Sequence, residues 1–268
     1  YRNLHVTNKL GAAFDASAAS YWGLTGMGAD ISRVSIRSNN LGHRSRTMLN
    51  FFLEHRFYLF EKSLDITPGV AANYFSDFGT HSFPGVDLGW QINTKLRLYA
   101  NTGATFRIPT FTDLYYSDRN TLGNVDLRPE EANSNEIGIR FSNPKVTASI
   151  ALFNRKAKNL IDFVKNSNDD TTPFKAENVQ QVNTSGIDLE LIHLIQVNNL
   201  THQFKISYSY LENTLENSGY NFSRYSINND LKHHFVGNYF LPVLKNLSGN
   251  FVYKYVERTS GDAYSVVD

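Results

Sequence analysis

Apolar residues recur at every second position through most of the chain, which is the period of a β-strand with two unlike faces. From position 95 to 106 the even residues are Leu96, Leu98, Ala100, Thr102, Ala104 and Phe106, and the odd ones are Lys95, Arg97, Tyr99, Asn101, Gly103 and Thr105. The same alternation marks Leu49, Phe51, Leu53, His55, Phe57 and Leu59, then Val86, Leu88, Trp90 and Ile92, then Val146, Ala148, Ile150 and Leu152. It continues at Ile187, Leu189 and Leu191, at Phe204, Ile206, Tyr208 and Tyr210, and at Phe251, Tyr253 and Tyr255. The pattern predicts an all-β chain of about 12 or 13 strands, at roughly 20 residues per strand with its connection.

The connections fall into two kinds. Glu61-Lys62-Ser63, Asn93-Thr94, Asn143-Pro144 and Lys245-Asn246 read as tight turns, because Asn, Ser and Pro favour chain reversal. Residues 21–30, 107–133, 166–174 and 212–230 read as long polar loops. Short turns at one end and long loops at the other are the asymmetry of an outer-membrane barrel. The alternation also persists for about 10 or more residues, the length that crosses a bilayer at a tilt, whereas strands in a soluble sandwich run to about 5 or 6.

Alternation by itself does not separate the two, since one apolar face can meet either a core or lipid. Small residues among the apolar positions (Ala100, Ala104, Ala148) suit lipid better than a close-packed core. Aromatics near strand ends, Tyr58, Tyr74, Phe75, Phe106, Phe141, Phe153, Tyr208 and Tyr210, are placed to form interfacial girdles.

Composition narrows the choice. The chain of 268 residues carries 26 Lys+Arg against 25 Asp+Glu, a net charge of +1, with the two signs interspersed. That balance removes the electrostatic case for a nucleic-acid partner. There is no cysteine, hence no disulfide and no thiolate chemistry. No run approaches the ~18 apolar residues of a spanning helix. The chain opens Tyr1-Arg2-Asn3-Leu4, without an initiator Met or a secretory leader, and is expected to be a processed chain or a fragment.

One stretch is more specific. Phe106-Arg107-Ile108-Pro109, then Asp113-Leu114-Tyr115-Tyr116, then Gly123-Asn124-Val125-Asp126-Leu127-Arg128-Pro129-Glu130-Glu131, then Asn135-Glu136-Ile137-Gly138, resembles the mid-barrel signature of TonB-dependent outer-membrane receptors. Asn183-Thr184-Ser185-Gly186-Ile187-Asp188-Leu189-Glu190 is similar to the family's Gly-led acidic strand. The resemblance implies a transmembrane antiparallel β-barrel of 22 strands with an N-terminal plug inside it. Residues 1–268 would then be the C-terminal portion of the barrel, with the plug and signal peptide outside this chain. It further implies energy-coupled uptake of a bulky, scarce nutrient (cobalamin, ferric siderophore or haem) in the outer membrane of a Gram-negative bacterium. The implied partners are the TonB energy-coupling protein acting through the plug, outer-membrane lipid, and a small-molecule or metal-chelate substrate. Residues 35–42 and 74–79 are similar to receptors of the cobalamin or siderophore type. A passive porin-like channel is the alternative, and behind it an outer-membrane barrel enzyme; no catalytic spacing argues for an enzyme and none is assigned, nor is a cofactor.

The resemblance implies that inward carboxylates pair with plug arginines, at Glu136, Glu190 and Asp188. The local pattern agrees on direction: Ile137, Ile139 and Phe141 define one face, which puts Glu136 on the other, and Ile187, Leu189 and Leu191 do the same for Asp188 and Glu190. A solvated lumen carboxylate is the alternative for each. Trp22, Tyr115, Tyr116, Tyr220, Phe222 and Tyr225 are candidate substrate contacts in loops, against a role in loop packing. No metal site is assigned: His233 and His234 are adjacent on a strand and point apart, and Asn168-Asp169-Asp170 reads as a solvated loop tip.

Overall fold

The computed structural model describes residues 4–166, 169, 171–216, 222–223, 231–244 and 246–268. Among these residues the chain is a single sheet of fifteen strands with one short helix. The first six strands are β1 (His5–Ser20), β2 (Gly23–Ser38), β3 (Gly42–Leu59), β4 (Leu64–Phe75), β5 (Gly79–Gln91) and β6 (Leu96–Arg107). A helix α1 (Phe111–Tyr115) and a two-residue strand β7 (Thr121–Leu122) follow. Then come β8 (Glu130–Ser142), β9 (Val146–Lys165), β10 (Phe174–Val197), β11 (Leu200–Glu216), the two-residue β12 (Phe222–Ser223), β13 (Leu231–Leu244), β14 (Leu247–Arg258) and β15 (Tyr264–Val267).

Hydrogen bonding runs β1-β2-β3-β4-β5-β6-β8-β9-β10-β11-β13-β14-β15, each strand antiparallel to its neighbours, while β7 attaches to β10 and β12 to β9. β1 and β15 stand at the two ends of this path, so the described sheet is an open wall rather than a ring. The strands that matter most are long. β9 has 20 residues and β10 has 24, about twice the ~9 to 11 that cross a bilayer, so this hairpin extends well past it.

All the connections at one end, residues 21–22, 60–63, 92–95, 143–145, 198–199 and 245–246, are two to four residues long. The turn at Asn143 is held by its own side chain, whose Oδ1 accepts from the N–H groups of Lys145 and Val146, each at 2.8 Å. Asn198 and Asn199 both adopt positive φ, the backbone a tight hairpin turn demands, and their turn had no counterpart among the sequence-predicted ones. The opposite end carries the long connections 108–129 and 166–173 and the segment between β11 and β13.

The expected long loop over residues 21–30 is not a loop. Tyr21 and Trp22 make a two-residue turn and β2 starts at Gly23. Gly28 within it is a strand glycine making room for large neighbours: a Cβ there would lie 2.2 Å from the Phe52 ring and 2.4 Å from the Asp15 carboxylate.

Cross-strand register sorts the side chains into two faces. On the apolar face one row runs Ala100, Ile137, Leu152, Ile187, Tyr210 across five strands. One step toward the long-loop end the row becomes Thr102, Asn135, Asn154, Ser185. Here side chains bond along the surface, Thr102 Oγ1 to Asn135 Oδ1 at 2.7 Å and Asn154 Nδ2 to Ser185 Oγ at 2.9 Å. The face thus switches from hydrocarbon to amide and hydroxyl over two residues. Below the switch its apolar side chains are bare, with Ile137 61% and Leu152 51% exposed. A continuous naked apolar band of this kind needs a covering medium.

The girdle assignment splits. Tyr74, Phe141, Tyr208 and Tyr210 stand on the apolar face. Tyr58, Phe75 and Phe153 are in register with Asp65, Met48 and Glu136 and so belong to the polar face. Phe106 lies against His81, Phe83 and Phe75 where β5 and β6 part company beyond the Gly85–Gly103 pair. Aromatic residue type alone does not report the face; its parity on the strand does.

Among the described residues a compact core forms near the long-loop end, where Leu114 and Leu127 of the 108–129 connection pack on Ile161, Phe163 and Ala176 of β9 and β10.

Candidate functional site

The polar face of β3 to β11 carries titratable side chains from the short-turn end to mid-height, those of β4 and β6 lying beside the turns 60–63 and 92–95. Asp65 on β4 is buried between Arg97 of β6, whose Nη2 donates at 2.6 Å, and Arg56 of β3 at 3.7 Å. The Arg97 guanidinium lies across Gly89, where any Cβ would collide with it. The two glycines of the sequence signatures work in the same way. A Cβ on Gly138 would stand 2.4 Å from the Tyr99 ring, and one on Gly186 would stand 2.4 Å from the Phe153 ring. Each glycine lets an aromatic on the next strand lie flat against the wall instead of projecting from it.

This flattening leaves the carboxylates as the projecting groups. Glu136 sits in register between Asn101 and Phe153, beside Tyr99. Asp188, exposed, accepts from Ser209 Oγ at 2.5 Å. Glu190 meets Lys205 Nζ at 3.0 Å in a diagonal cross-strand pair, its side chain 41% exposed and the lysine's 47%. All three predicted acids therefore stand on the polar face at neighbouring heights on β8 and β10. The Asp65–Arg97 pair and Lys205 were not singled out in the sequence. Arg97 was visible as a polar-face residue, but its partner lies on a strand two places away along the sheet and no single-strand pattern joins them.

The long-loop rim is built differently. Arg46 of β3 is buried; its Nε donates to both oxygens of Asp77, at 2.9 and 2.8 Å, and its Nη2 to the Pro109 carbonyl at 3.0 Å. Its guanidinium also faces the Phe111 and Phe78 rings. Arg107 makes a two-pronged contact with buried Glu130, Nε to Oε2 at 2.8 Å and Nη2 to Oε1 at 2.5 Å, and reaches Asp113 at 3.3 Å. Asp113 and Thr110 cap α1 reciprocally, each side chain accepting from the other's N–H. Asn40 closes the far side, its Nδ2 donating to the Ser117 carbonyl at 2.8 Å and its Oδ1 accepting from the Ser117 N–H at 3.2 Å. Residues 108–129 are thereby pinned over the polar face of the wall at its rim.

The candidate loop aromatics fall in several places. Tyr115 lies in α1 with Arg44 stacked 3.9 Å over its ring, and the Tyr116 hydroxyl donates to Asp118 at 2.9 Å, so both are used within the rim. Trp22 stands apart from them: it is in the two-residue turn at the short-turn end, 70% exposed, with Tyr21 edge-on at 5.5 Å. It does not belong with the long loops, because the segment that was to carry it is strand. Phe222 is in β12, opposite Lys165, with its side chain outside the described residues; Tyr220 and Tyr225 lie outside them altogether. Asn168 and Asp170 are also outside, while Asp169 accepts from the N–H and hydroxyl of Thr171, which hold its carboxyl below the usual range. His233 pairs through Nδ1 with the Tyr208 hydroxyl at 2.8 Å on the apolar face. Among the described residues no three metal-ligating side chains converge.

An antiparallel wall with a bare apolar band on one face, charge on the other, and its long loops all at one end is part of a transmembrane β-barrel. The chain belongs to the TonB dependent receptor-like β-barrel family, whose model matches residues 1–268. This places it in the outer membrane of a Gram-negative bacterium, in a family of receptors and transporters rather than enzymes.

Among curated proteins it is 32% identical over 120 residues to the vitamin B12 transporter BtuB of Vibrio vulnificus, a match covering 44% of this chain and 18% of that protein. Among solved structures it superposes on the siderophore receptor PirA of Pseudomonas aeruginosa with a TM-score of 0.74 at 15% identity, covering 99% of this chain and 48% of the receptor. The copper transporter OprC gives a TM-score of 0.76 at 13% identity, with the same coverage of both chains. The chain thus spans about half the length of the solved proteins it matches, and these likenesses define its fold.

Proposed function

We propose that residues 1–268 form the C-terminal portion of the barrel of an outer-membrane receptor that takes up a bulky, scarce nutrient, a cobalamin, a ferric siderophore or haem, with energy delivered by TonB through a plug that this wall encloses. The wall's part is to seat that plug. The observation that carries the reading is the set Glu136, Asp188 and Glu190, three carboxylates at neighbouring heights on the lumen face, set among aromatics flattened onto Gly138 and Gly186. A carboxylate that reaches into the lumen offers a directional, charge-assisted contact to a guanidinium on a body inside it. Because the pair is only partly shielded, it holds the plug at rest and yields when the plug is displaced. The similarity to a vitamin B12 transporter supports cobalamin as the first substrate to test.

The test is the intact receptor carrying Glu136→Gln and Glu190→Gln together. The expected result is faster hydrogen exchange in the plug and altered uptake of radiolabelled cyanocobalamin, with the barrel still folded. Unchanged plug protection would remove the seating role, and passive solute flux through liposomes without ligand binding would favour a porin-like channel.

A further inference from the structure

The wall has a seam, and the sequence builds it at Pro84. At the foot of β5 the Gln91 N–H donates to Ser63 on the β4 side and the Ile92 N–H to Leu96 of β6, so odd residues of β5 bond toward β4 and even ones toward β6. Pro84 is therefore directed at β6 and has no N–H to give it. The β5–β6 ladder ends one residue short of Pro84, at Gly85 opposite Gly103, and among the described residues no pair joins these strands between there and the long-loop end. Each strand keeps its other neighbour over the same stretch: β5 stays paired with β4 as far as Gly79, and β6 with β8 as far as Arg107.

A cavity of about 330 Å³ opens where the ladder would have continued, with His81, Ser82 and Phe83 on one side and Ala104, Thr105 and Phe106 on the other. Paired strands stand ~4.8 Å apart and leave no such space. Phe106 bridges it with ring contacts alone, 3.9 Å from His81 and 5.5 Å from Phe83. The seam begins at the level of the Thr102–Asn135 row, where the outer face has turned polar, so its unpaired edges meet water and not hydrocarbon. At the rim the two flanks are tied again, by side chains. Arg46 of β3 donates to the Pro109 carbonyl at 3.0 Å, Arg44 stacks 3.9 Å over Tyr115, and Asn40 holds the Ser117 N–H and carbonyl. Phe78, between β4 and β5, packs against the Leu114 core. The seam is thus a slit with a laddered foot and a clasped top.

We propose that this slit is an expansion joint of the barrel mouth. When the clasp at Asn40, Arg44 and Arg46 lets go, β6 and residues 108–129 swing away from β5 about the Gly85–Gly103 pair, and the rim widens to admit a bulky solute. A continuous ladder would have to break a backbone hydrogen bond at every second residue to open as far, whereas the slit gives up only side-chain contacts. The joint rests on the sheet alone; its use in uptake rests on the transport proposed for the receptor.

Spin labels on Thr80→Cys and Glu131→Cys stand on opposite sides of the slit, and labels on Ser45→Cys and Thr80→Cys stand within one flank; residues 1–268 have no cysteine of their own. Pulsed double electron–electron resonance on the intact receptor should show the first distance rise by about one strand spacing, ~5 Å, in N40A/R44Q/R46Q, while the second stays as in wild type. Pro84→Val, which restores the missing donor, should return the first distance to its wild-type value in that background and slow hydrogen exchange at the Phe106 amide several-fold. Joining Thr80→Cys to Glu131→Cys with a reducible bis-maleimide should slow uptake of radiolabelled cyanocobalamin several-fold without changing its binding, and reductant should restore the rate. Heat-modifiable gel mobility verifies that each variant folds. An unchanged first distance in N40A/R44Q/R46Q, or an equal rise in both distances, would overturn the joint, and wild-type uptake through the cross-linked receptor would overturn its use. A receptor that takes up no cyanocobalamin in any form counts against the transport reading instead, and the two distances still decide the joint.

Discussion

The rim and the mid-height wall are built from the same residue types and use them in opposite ways. At the rim, Arg46, Asp77, Arg107, Asp113 and Glu130 satisfy one another inside the chain, and three of them are buried. At mid-height, Glu136, Asp188 and Glu190 project into open space with single, partly exposed contacts. Buried charges tolerate no missing partner, so the rim is a fastening. Exposed charges gain little from an in-chain partner, so these carboxylates contribute little to the fold, and on the proposed function they are the ones available to the plug. The difference separates charge that holds the fold from charge that does not.

The comparison breaks most sharply at Arg46. Arg46→Ala leaves Asp77 and the Pro109 carbonyl without their donor, and should destabilise the rim by about 3 kcal/mol. Limited proteolysis should then cut within residues 108–129, which stay intact in wild type. Next in size, Gly186→Leu forces the Phe153 ring off the wall and crowds the Tyr210 backbone carbonyl, and should cost about 2 kcal/mol, measured by guanidinium unfolding of the refolded receptor. On the proposed function it should also speed hydrogen exchange in the plug, since the displaced ring enters the space beside Glu136.

Smaller again is Thr110→Ala, which removes one half of the α1 cap and should cost about 1 kcal/mol locally, read as faster exchange at the Asp113 amide. The smallest effect is expected of Lys205→Ala. Its ion pair with Glu190 is half exposed, and the change in barrel stability should stay under about 1 kcal/mol. A large loss there would place the mid-height charges with the rim and erase the distinction.

Much of this was legible in the sequence because a period of two is imposed residue by residue. The directions of Glu136, Asp188 and Glu190 follow from the parity of their strands, and the tight turn at Asn143-Pro144 from the chemistry of Asn. What the sequence withheld is what register decides. That Asp65 meets Arg97, or that Arg46 holds Asp77 and Pro109, depends on how far strands slide past one another, which no strand encodes alone. Residues 21–30 misled for a related reason. A stretch poor in large apolar side chains looks like a loop when its neighbours are unknown, yet Gly28 is the space left for Phe52, a residue on another strand. Trp22 then went to the wrong end of the barrel with the segment around it.

The order of pairing in the sheet bears on how such a chain is put together. Every strand on the main path bonds to its nearest long neighbour in sequence, so the wall can grow by one hairpin at a time behind a single advancing edge. The two pairings that break this order, β7 on β10 and β12 on β9, both involve two-residue strands and lie at the long-loop end, beyond the apolar band. Local pairing is quick to form, and an open edge in hydrocarbon costs several kcal/mol for each unpaired backbone group. Out-of-order contacts are confined to the aqueous side, where waiting is cheap, and no segment has to be threaded through lipid after its neighbours have closed.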